Sequence, residues 1–458
     1  IDAVRSYSAA VQLDPRLAHA LGSLLHVKTS CCDWDDFHGL HQDVQNHLKL
    51  KKPVILPFGF QAICDDEAEL QTCATLAAQD MYPASKSGFI HPSWPPHTKI
   101  RVGYLCGEFR EQATSILMTE IWERHDKTQF EIYAFDNGFS DQSPRRARIE
   151  QAFDHVIDIS RMQDLDVAEL IHHHQIDILI NLNGFFGLER NKVFALRPSP
   201  VQVNYLGFPG TMGAPYMDYL IADETVIPVS SQQHYTEKVI YVPGCYQPND
   251  AQRRISKRTF TRAELGLPEQ GFVFCCFNNN YKITPSTFDV WMRLLTQVQG
   301  SVLWLLQDTP EAAANLRREA EQRGVDPHRL VFADRLPNDE HLARHANADL
   351  FLDTWPYNAH TTASDALWAG LPLLTLQGNT FPGRVASSLL RNLQLPELIT
   401  QDVQAYEAMA VRLATDPDLL SAIRSRLNAV KHDSTPFNPA QHAKELEALF
   451  LDMIKHVH

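Results

Sequence analysis

No apolar run in this chain approaches the roughly 18 residues that a membrane-spanning helix needs, so no bilayer-crossing helix is expected. Basic charge is also short. Lys and Arg number 41 against 55 Asp and Glu, and the formal net charge of -14 argues against a nucleic-acid binder, although an acidic protein can still carry a local basic pocket. The eight cysteines show no Cys-x-x-Cys spacing. They include the adjacent pairs Cys31-Cys32 and Cys275-Cys276, and no secretory signal is visible, so reduced thiols in a cytoplasm fit the pattern. An initiator methionine is lacking too: the chain opens at Ile1, and upstream sequence is expected to have been removed. What is present is ordinary for a globular protein, 44% hydrophobic and 21% charged residues, in a length of 458 that allows about three domains.

The first residues set the organisation. Ala3-Val4-x-x-Tyr7-x-x-Ala10-Val11-x-Leu13-Asp14-Pro15 matches the second helix of a tetratricopeptide unit, and residues 18–25 read as the first helix of another. Residues 1–30 are therefore expected to be truncated tetratricopeptide repeats, with an ordinary helical hairpin as the alternative. Residues 31–98 alternate helical patterns with breaks at Lys52-Pro53 and Ser93-Trp-Pro95-Pro96, as a helical connector and linker would.

Beyond that the chain turns to β-α-β. Residues 100–105, 130–135, 155–159 and 176–182 are short β-branched runs separated by helix-length segments such as 114–124 and 164–174. A second series, at residues 272–277, 301–306, 329–333, 349–353 and 371–376, follows a break near 246–258. Strand and helix in alternation predict a parallel sheet covered on both faces, here twice over. Thr284-Pro285 is expected to start a helix, and Gly324 and Gly370 to stop two others. In doubly wound sheets ligands bind beyond the carboxyl ends of the strands, so the residues just after strands are the functional candidates.

Those residues are polar. After Asp349-Leu-Phe-Leu-Asp353 a loop delivers His360-Thr361-Thr362 to the start of a helix, with Asp365 three residues on. Helix-terminal amides and the positive dipole end attract phosphate, threonine hydroxyls add donors, and a carboxylate can accept from ribose hydroxyls. A simple capping box of Thr362 and Asp365 explains the same stretch equally well. After residue 277, Asn278-Asn279-Asn280-Tyr281-Lys282 places an ammonium at a strand end, where a lone surface lysine is the alternative. After residue 333, His341 and Arg344 share a helical face beyond Leu336-Pro337. Asp164-Leu-Asp166 has the spacing of a metal-binding acid pair but opens an amphipathic helix, where N-capping suits it better.

Together, Ile100-Arg-Val-Gly-Tyr104, Phe194-Ala-Leu-Arg197-Pro, Leu206-Gly207-Phe-Pro209-Gly210-Thr211, Met217-Asp218-Tyr219, Tyr281-Lys282-Ile-x-Pro-Ser, Ser301-Val-Leu-Trp-Leu-Leu306 and His360-Thr-Thr-x-x-Asp365-x-Leu-Trp-Ala-Gly370 resemble the polypeptide O-GlcNAc transferases of glycosyltransferase family 41, in order from about Asp14 onward. The resemblance implies an α/β GT-B fold: two doubly wound Rossmann-like domains preceded by the helical tetratricopeptide remnant. The expected division is a catalytic lobe at 99–250, a UDP-binding lobe at 251–430 and a C-terminal helix at 431–458 that packs back on the first lobe. It further implies inverting transfer of a sugar, GlcNAc above all, from UDP to Ser or Thr of proteins recruited by upstream repeats. No cofactor or metal is expected, and neither nucleic acid nor a membrane is an expected partner. Carried over by motif, Asn279, Lys282, His360, Thr361 and Thr362 would face the diphosphate, and Asp365 the ribose. Leu336 and His341 would flank uracil with Arg344 behind them, while Gly207, Pro209, Gly210 and Thr211 would form a tight loop near sugar and acceptor.

Departures fall where the chemistry belongs. Many members of the family carry His-Pro-x-Ser-His after the first strand; here the stretch reads Gln112-Ala113-Thr-Ser115-Ile116. Gln112 can hydrogen-bond but cannot exchange a proton near neutrality, so it cannot serve as a general base. Asp177 and His174, before Asn181-Leu-Asn183-Gly184, are the next candidates near the acceptor, with the donor phosphate or water as alternatives. A relative that glucosylates asparagine or uses another UDP-sugar, and a UDP-binding protein without transferase activity, remain the rival readings.

Overall fold

The computed structural model describes residues 2–86, 88–89, 91 and 98–455. The Pro-rich break at 93–96 and His456 lie outside the described residues. Two compact units are present, one formed by Leu56–Phe58, Glu67–Gln252 and Thr435–His458, the other by Ile1–Ile55, Gly59–Asp66 and Arg253–Ser434. The helices Asp2–Leu13, Ala20–Ser30 and Phe37–Lys49 thus belong to the unit that holds the second sheet, and the helix Glu67–Met81 to the unit that holds the first.

The first sheet has seven strands: β1 (Ile100–Cys106), β2 (Phe130–Asp136), β3 (His155–Asp158), β4 (Ile178–Asn181), β5 (Val201–Asn204), β6 (Tyr219–Ala222) and β7 (Lys238–Tyr241). All pairings are parallel, in the order β3-β2-β1-β4-β5-β6-β7. The second sheet holds β8 (Val273–Cys276), β9 (Val302–Leu306), β10 (Leu330–Ala333), β11 (Leu350–Leu352), β12 (Leu373–Leu376) and β13 (Ile399–Thr400), also parallel, ordered β10-β9-β8-β11-β12-β13. Every residue of β8, β9 and β12 is buried, which is why β8 and β9 read as unbroken apolar runs and β12 as one interrupted only by Thr375. The two doubly wound sheets are those the GT-B reading expects.

All nine expected strands form, most of them a residue or two shorter than the apolar runs. β5, β6, β7 and β13 went unforeseen. β5 reads Val-Gln-Val-Asn, and its Gln202 is fully buried because its amide donates to the carbonyls of Phe194 (2.9 Å) and Tyr216 (2.7 Å). A buried polar side chain with local acceptors satisfies the sheet but spoils the hydrophobic alternation. Helix boundaries follow their signals: Thr284 caps Pro285–Gln297 by accepting from the Thr287 amide, and Gly324 and Gly370 adopt φ of 74° and 82° after their helices. Asp164 is a correction. It lies in the first turn of Asp164–His173, whose N-cap is Gln163, and pairs with Arg190 at 2.7 Å rather than capping.

The helix Pro439–Lys455 belongs to the first unit and buries Leu446, Phe450 and Met453 there. Its polar contacts are equally specific. Glu447 accepts from His125 Nδ1 (3.0 Å) and the Asp126 amide (2.7 Å). Tyr205 donates to the Tyr246 carbonyl (2.8 Å), so its oxygen accepts from His442 Nε2 (2.8 Å), and burial drives this histidine down to about 3, keeping it neutral. Phe450→Ala leaves a void among Phe130, His125 and their neighbours, and is expected to cost about 3–5 kcal/mol, read as a lower urea midpoint for the transition that involves this unit.

Candidate active site

In each sheet the strand order reverses once, between β1 and β4 and between β8 and β11. At a reversal the connections on either side run to opposite faces and leave a crevice at the carboxyl edge, the place where doubly wound sheets bind ligands. In the second sheet the flanking segments are residues 277–284 after β8 and 353–360 after β11. They carry Asn279, Lys282 and His360, and the second leads directly into the helix Thr361–Trp368.

Lys282 ends a short 3-10 turn, Asn280–Lys282, which folds its side chain inward. It is buried at 7% exposure. Its Nζ donates to the Asn358 carbonyl at 2.8 Å and stands 4.0 Å from the centre of the Tyr357 ring. Burial pulls the ammonium down to about 7, against the opposing attraction of Asp353. An ammonium has three N–H donors, and among the described residues one is taken by a protein acceptor. Lysine in this state is no surface residue; it is a desolvated cation with spare donors at the carboxyl edge of the sheet.

The surrounding groups lock the loops together. Asn278 donates to the Thr354 hydroxyl (2.8 Å) and accepts from the Thr362 hydroxyl, tying the β8 loop, the β11 loop and the helix start into one frame. Thr361 and Thr362 occupy the first helical positions after His360, the N-cap. Thr362 spends its hydroxyl on Asn278, and Asp365 is held by Arg253, so the capping-box alternative fails. His360 directs Nε2 to the Pro382 carbonyl (3.1 Å) and packs on Tyr357; burial and the neighbouring Lys282 hold it well below the ordinary histidine value, hence neutral.

Asp365 is buried with its carboxylate paired to Arg253, and His341 Nε2 lies 3.9 Å from its other oxygen. His341 sits one face-turn before Arg344 on the helix Asn338–Arg344, as the spacing predicts. Arg344 donates to His341 Nδ1 at 2.6 Å and to the Asp334 carbonyl at 2.6 Å, which leaves the histidine proton on Nε2, the nitrogen that faces Asp365. Burial, then the charges of His345 and Arg344, keep His341 neutral. Leu336 is half-buried in the loop before this helix, and Asn279 is exposed beside Arg335. The second sheet therefore gathers Asn279, Lys282, Leu336, His341, Arg344, His360, Thr361, Thr362 and Asp365 along one edge.

The first-sheet candidates divide. Gln112 is exposed as the N-cap residue of Ala113–Arg124, at the carboxyl end of β1, without a side-chain cap bond. Asp177 is a correction: it precedes β4, and its carboxylate accepts from the Arg101 amide (2.8 Å) at the amino end of β1. That is the edge opposite the ligand crevice. His174 is there as well, its carbonyl accepting from Arg101 at 3.0 Å. At the crevice itself stands Glu108, which sequence reading passed over. Its carboxylate accepts from Asn183 at 2.6 Å, joining the β1 and β4 loops, and burial raises it above the ordinary carboxylate value.

The loop after β5 is tight, as expected. A Cβ on Gly207 would lie 1.8 Å from the Leu182 carbonyl oxygen, and Asn204 donates to the Gly210 carbonyl at 3.0 Å. Thr211 braces the loop: its buried hydroxyl donates to Glu237 at 2.6 Å and accepts from the Gly213 amide. Pro209 is likewise buried. A cavity of about 410 Å³ in this unit is lined by Tyr82, Asp164, Glu189, Arg190 and Lys192, among which Tyr82 pairs with Glu189 and Arg190 with Asp164. Among the described residues no three His, Cys, Asp or Glu side chains form a group able to hold a metal ion.

The model of glycosyl transferase family 41 matches residues 70–257 and 252–446. A probable UDP-N-acetylglucosamine–peptide N-acetylglucosaminyltransferase of Arabidopsis thaliana is 34% identical over 451 residues, covering 94% of this chain and 46% of the relative. Its Caenorhabditis elegans counterpart is 29% identical, covering 78% and 41%. The chain thus spans less than half the length of these relatives. An O-GlcNAc transferase structure from Thermobaculum terrenum superposes with a TM-score of 0.83 at 27% identity, covering 99% of this chain and 87% of that one. Anabaena HepE, solved with UDP and glucose, shares the fold at 12% identity and a TM-score of 0.53, covering 77% and 100%.

Gly207→Ala forces its new methyl into a backbone carbonyl, so the loop after β5 must shift. The expected cost is about 1–3 kcal/mol, measured by urea unfolding against the parent protein.

Proposed function

Because the chain belongs to glycosyl transferase family 41, we propose that it transfers a sugar, GlcNAc in the first instance, from a UDP-sugar to a Ser or Thr hydroxyl of a protein. One observation carries the reading: the buried Lys282 ammonium, with donors to spare, beside the amino end of Thr361–Trp368 at the strand-order reversal. Fixed positive charge and unspent helix amides are what a departing diphosphate requires. Neutral His341 and His360 suit that task, because each offers a polar edge without adding a proton that would titrate in the working range.

In the proposed reaction the acceptor oxygen attacks the anomeric carbon from the face opposite the diphosphate. A new carbon–oxygen bond forms as the bond to the β-phosphate oxygen breaks, the configuration inverts, and the electron pair leaves on UDP. Lys282 and the helix amides offset the charge that appears there, a role that needs no divalent ion. Asp365, held by Arg253, accepts from ribose hydroxyls, and His341, with Leu336 and Arg344, flanks the base. The acceptor proton leaves to the donor phosphate or to water, since Gln112 cannot take it and Asp177 lies at the far edge of its sheet. Recruitment of acceptors by tetratricopeptide repeats and a cytoplasmic setting complete the proposal.

The exposed Gln112 at the place of a family histidine favours one rival, a UDP-binding relative without transfer. Incubating the protein with acceptor peptides and several UDP-sugars, followed by mass spectrometry, separates them. Modified Ser or Thr supports the proposal; modified Asn or a sugar other than GlcNAc moves it to a sister activity. UDP binding with no product leaves the binding protein. Lys282→Ala is expected to reduce transfer by about 10²–10³-fold with the fold intact, since a buried charge is removed with it; unchanged turnover overturns the assignment.

A further inference from the structure

Resting on the proposed diphosphate site, we propose that Asp353 is its positioning residue: its buried carboxylate fastens both ends of the β11 loop and supplies the counter-charge that keeps Lys282 protonated for the incoming diphosphate.

The geometry is specific. Asp353 follows β11 and is fully buried. Its Oδ1 accepts from the amides of Thr354 (2.8 Å) and Ala359 (2.6 Å), the first and last links of the turn, and Oδ2 accepts from the Thr375 hydroxyl of β12 (2.6 Å). The turn so closed contains Asn358, whose carbonyl takes the Lys282 proton donor, and Tyr357, whose ring lies against the ammonium. It also ends at His360, where the helix begins. One carboxylate thereby fixes the backbone acceptor, the aromatic face and the helix start that together define where Lys282 and the amides point.

The electrostatics run in the same direction. Burial raises Asp353 to about 7, while its three hydrogen bonds and Lys282 pull the other way; burial lowers Lys282 to about 7, and Asp353 opposes that. The groups that face Lys282 are Asp353, the Cys276 thiol, which burial keeps protonated, and the neutral His360. Asp353 is therefore the one anion that holds the ammonium charged among these neighbours. The two groups titrate as a pair, and the diphosphate, on arrival, takes over as the counter-charge.

Asp353→Asn tests the idea because it keeps an oxygen for the two amides, and Thr375 can rotate to accept. UDP affinity is measured by calorimetry across about pH 6–9. In the parent protein affinity falls as pH climbs through the Lys282 range, because the free site must gain a proton to bind. In Asp353→Asn that fall starts at lower pH. The ratio of the two affinities is expected to stay near one at the acid end and to grow to about tenfold at the alkaline end, the equivalent of one pKa unit. A constant ratio across the range means the carboxylate only shapes the loop, and overturns the charge role.

A second readout does not use UDP. Lys282→Met removes the cation, so infrared difference titration against Asp353→Asn is expected to show the protonated-carboxyl band of Asp353 persisting to higher pH than in the parent. Coincident titration with and without the lysine overturns the pairing. Should the parent protein bind no UDP, the proposed function falls while this infrared comparison still decides the pairing. Should Asp353→Asn fail to fold, the band is followed instead in Lys282→Met against the parent, with the same two outcomes.

Discussion

A lysine ammonium taken out of water governs the second sheet's ligand edge. An ordinary lysine value of 10.5 lowered to about 7 corresponds to a penalty on the order of 5 kcal/mol for charging Lys282 where it sits. A carbonyl, a ring face and one carboxylate reduce that penalty without abolishing it. The site is thus short of negative charge, and it is most relieved by a ligand that brings some. Under the proposed function, affinity for a diphosphate and stabilisation of a diphosphate leaving group have the same origin, since charge on the leaving group would grow as the glycosidic bond breaks and the protein's response to it is already in place.

That arrangement depends on topology before it depends on any one side chain. Lys282 and the His360 loop come from strands whose turns are separated by more than 70 residues, and they meet because β8 and β11 are neighbours across the reversal of strand order. Asn278 then binds Thr354 and Thr362, so that three backbone segments cannot move independently. A helix of eight residues would hold its first turn loosely by propensity alone; here tertiary hydrogen bonds define where its free amides face.

The sequence showed this edge in outline. Apolar runs bounded by turn residues reveal nine strands, and the polar residues just beyond them, Lys282, His341, His360 and Asp365, are the ones the fold gathers along this edge. The signal failed where polar side chains are buried for structural reasons. Gln202 hid β5, and Asp353 read as the last residue of a strand because nothing in a linear pattern distinguishes a solvated acid from one that closes a six-residue turn. Asp177 misled for the converse reason: in a parallel sheet an acid next to a strand is functional or not according to which end it occupies, and only the register with Arg101 settles the end. Arg253, remote in sequence from Asp365, carried no local motif at all.

Glu108 and Asn183 show the same device in the first sheet. They join the loops after β1 and β4, across that sheet's own reversal, through a buried carboxylate and an amide at 2.6 Å. Gly187 is admitted there because a Cβ would come within 2.2 Å of the Glu108 carboxylate. Each sheet therefore closes its crevice with one buried acid after a strand, but with different consequences. Glu108 meets the Asn183 amide and the Cys106 thiol, and burial outweighs their hydrogen bonds and the charge of Arg110, so it stays raised and acts chiefly as a hydrogen-bond anchor. Asp353 meets a cation, and its charge is exchanged with that of a neighbour whose own protonation the ligand controls. A buried acid stands at each reversal, after β1 in one sheet and after β11 in the other, and the buried Lys282 that Asp353 alone faces is the physical ground for proposing that the leaving group lies at the second sheet rather than the first.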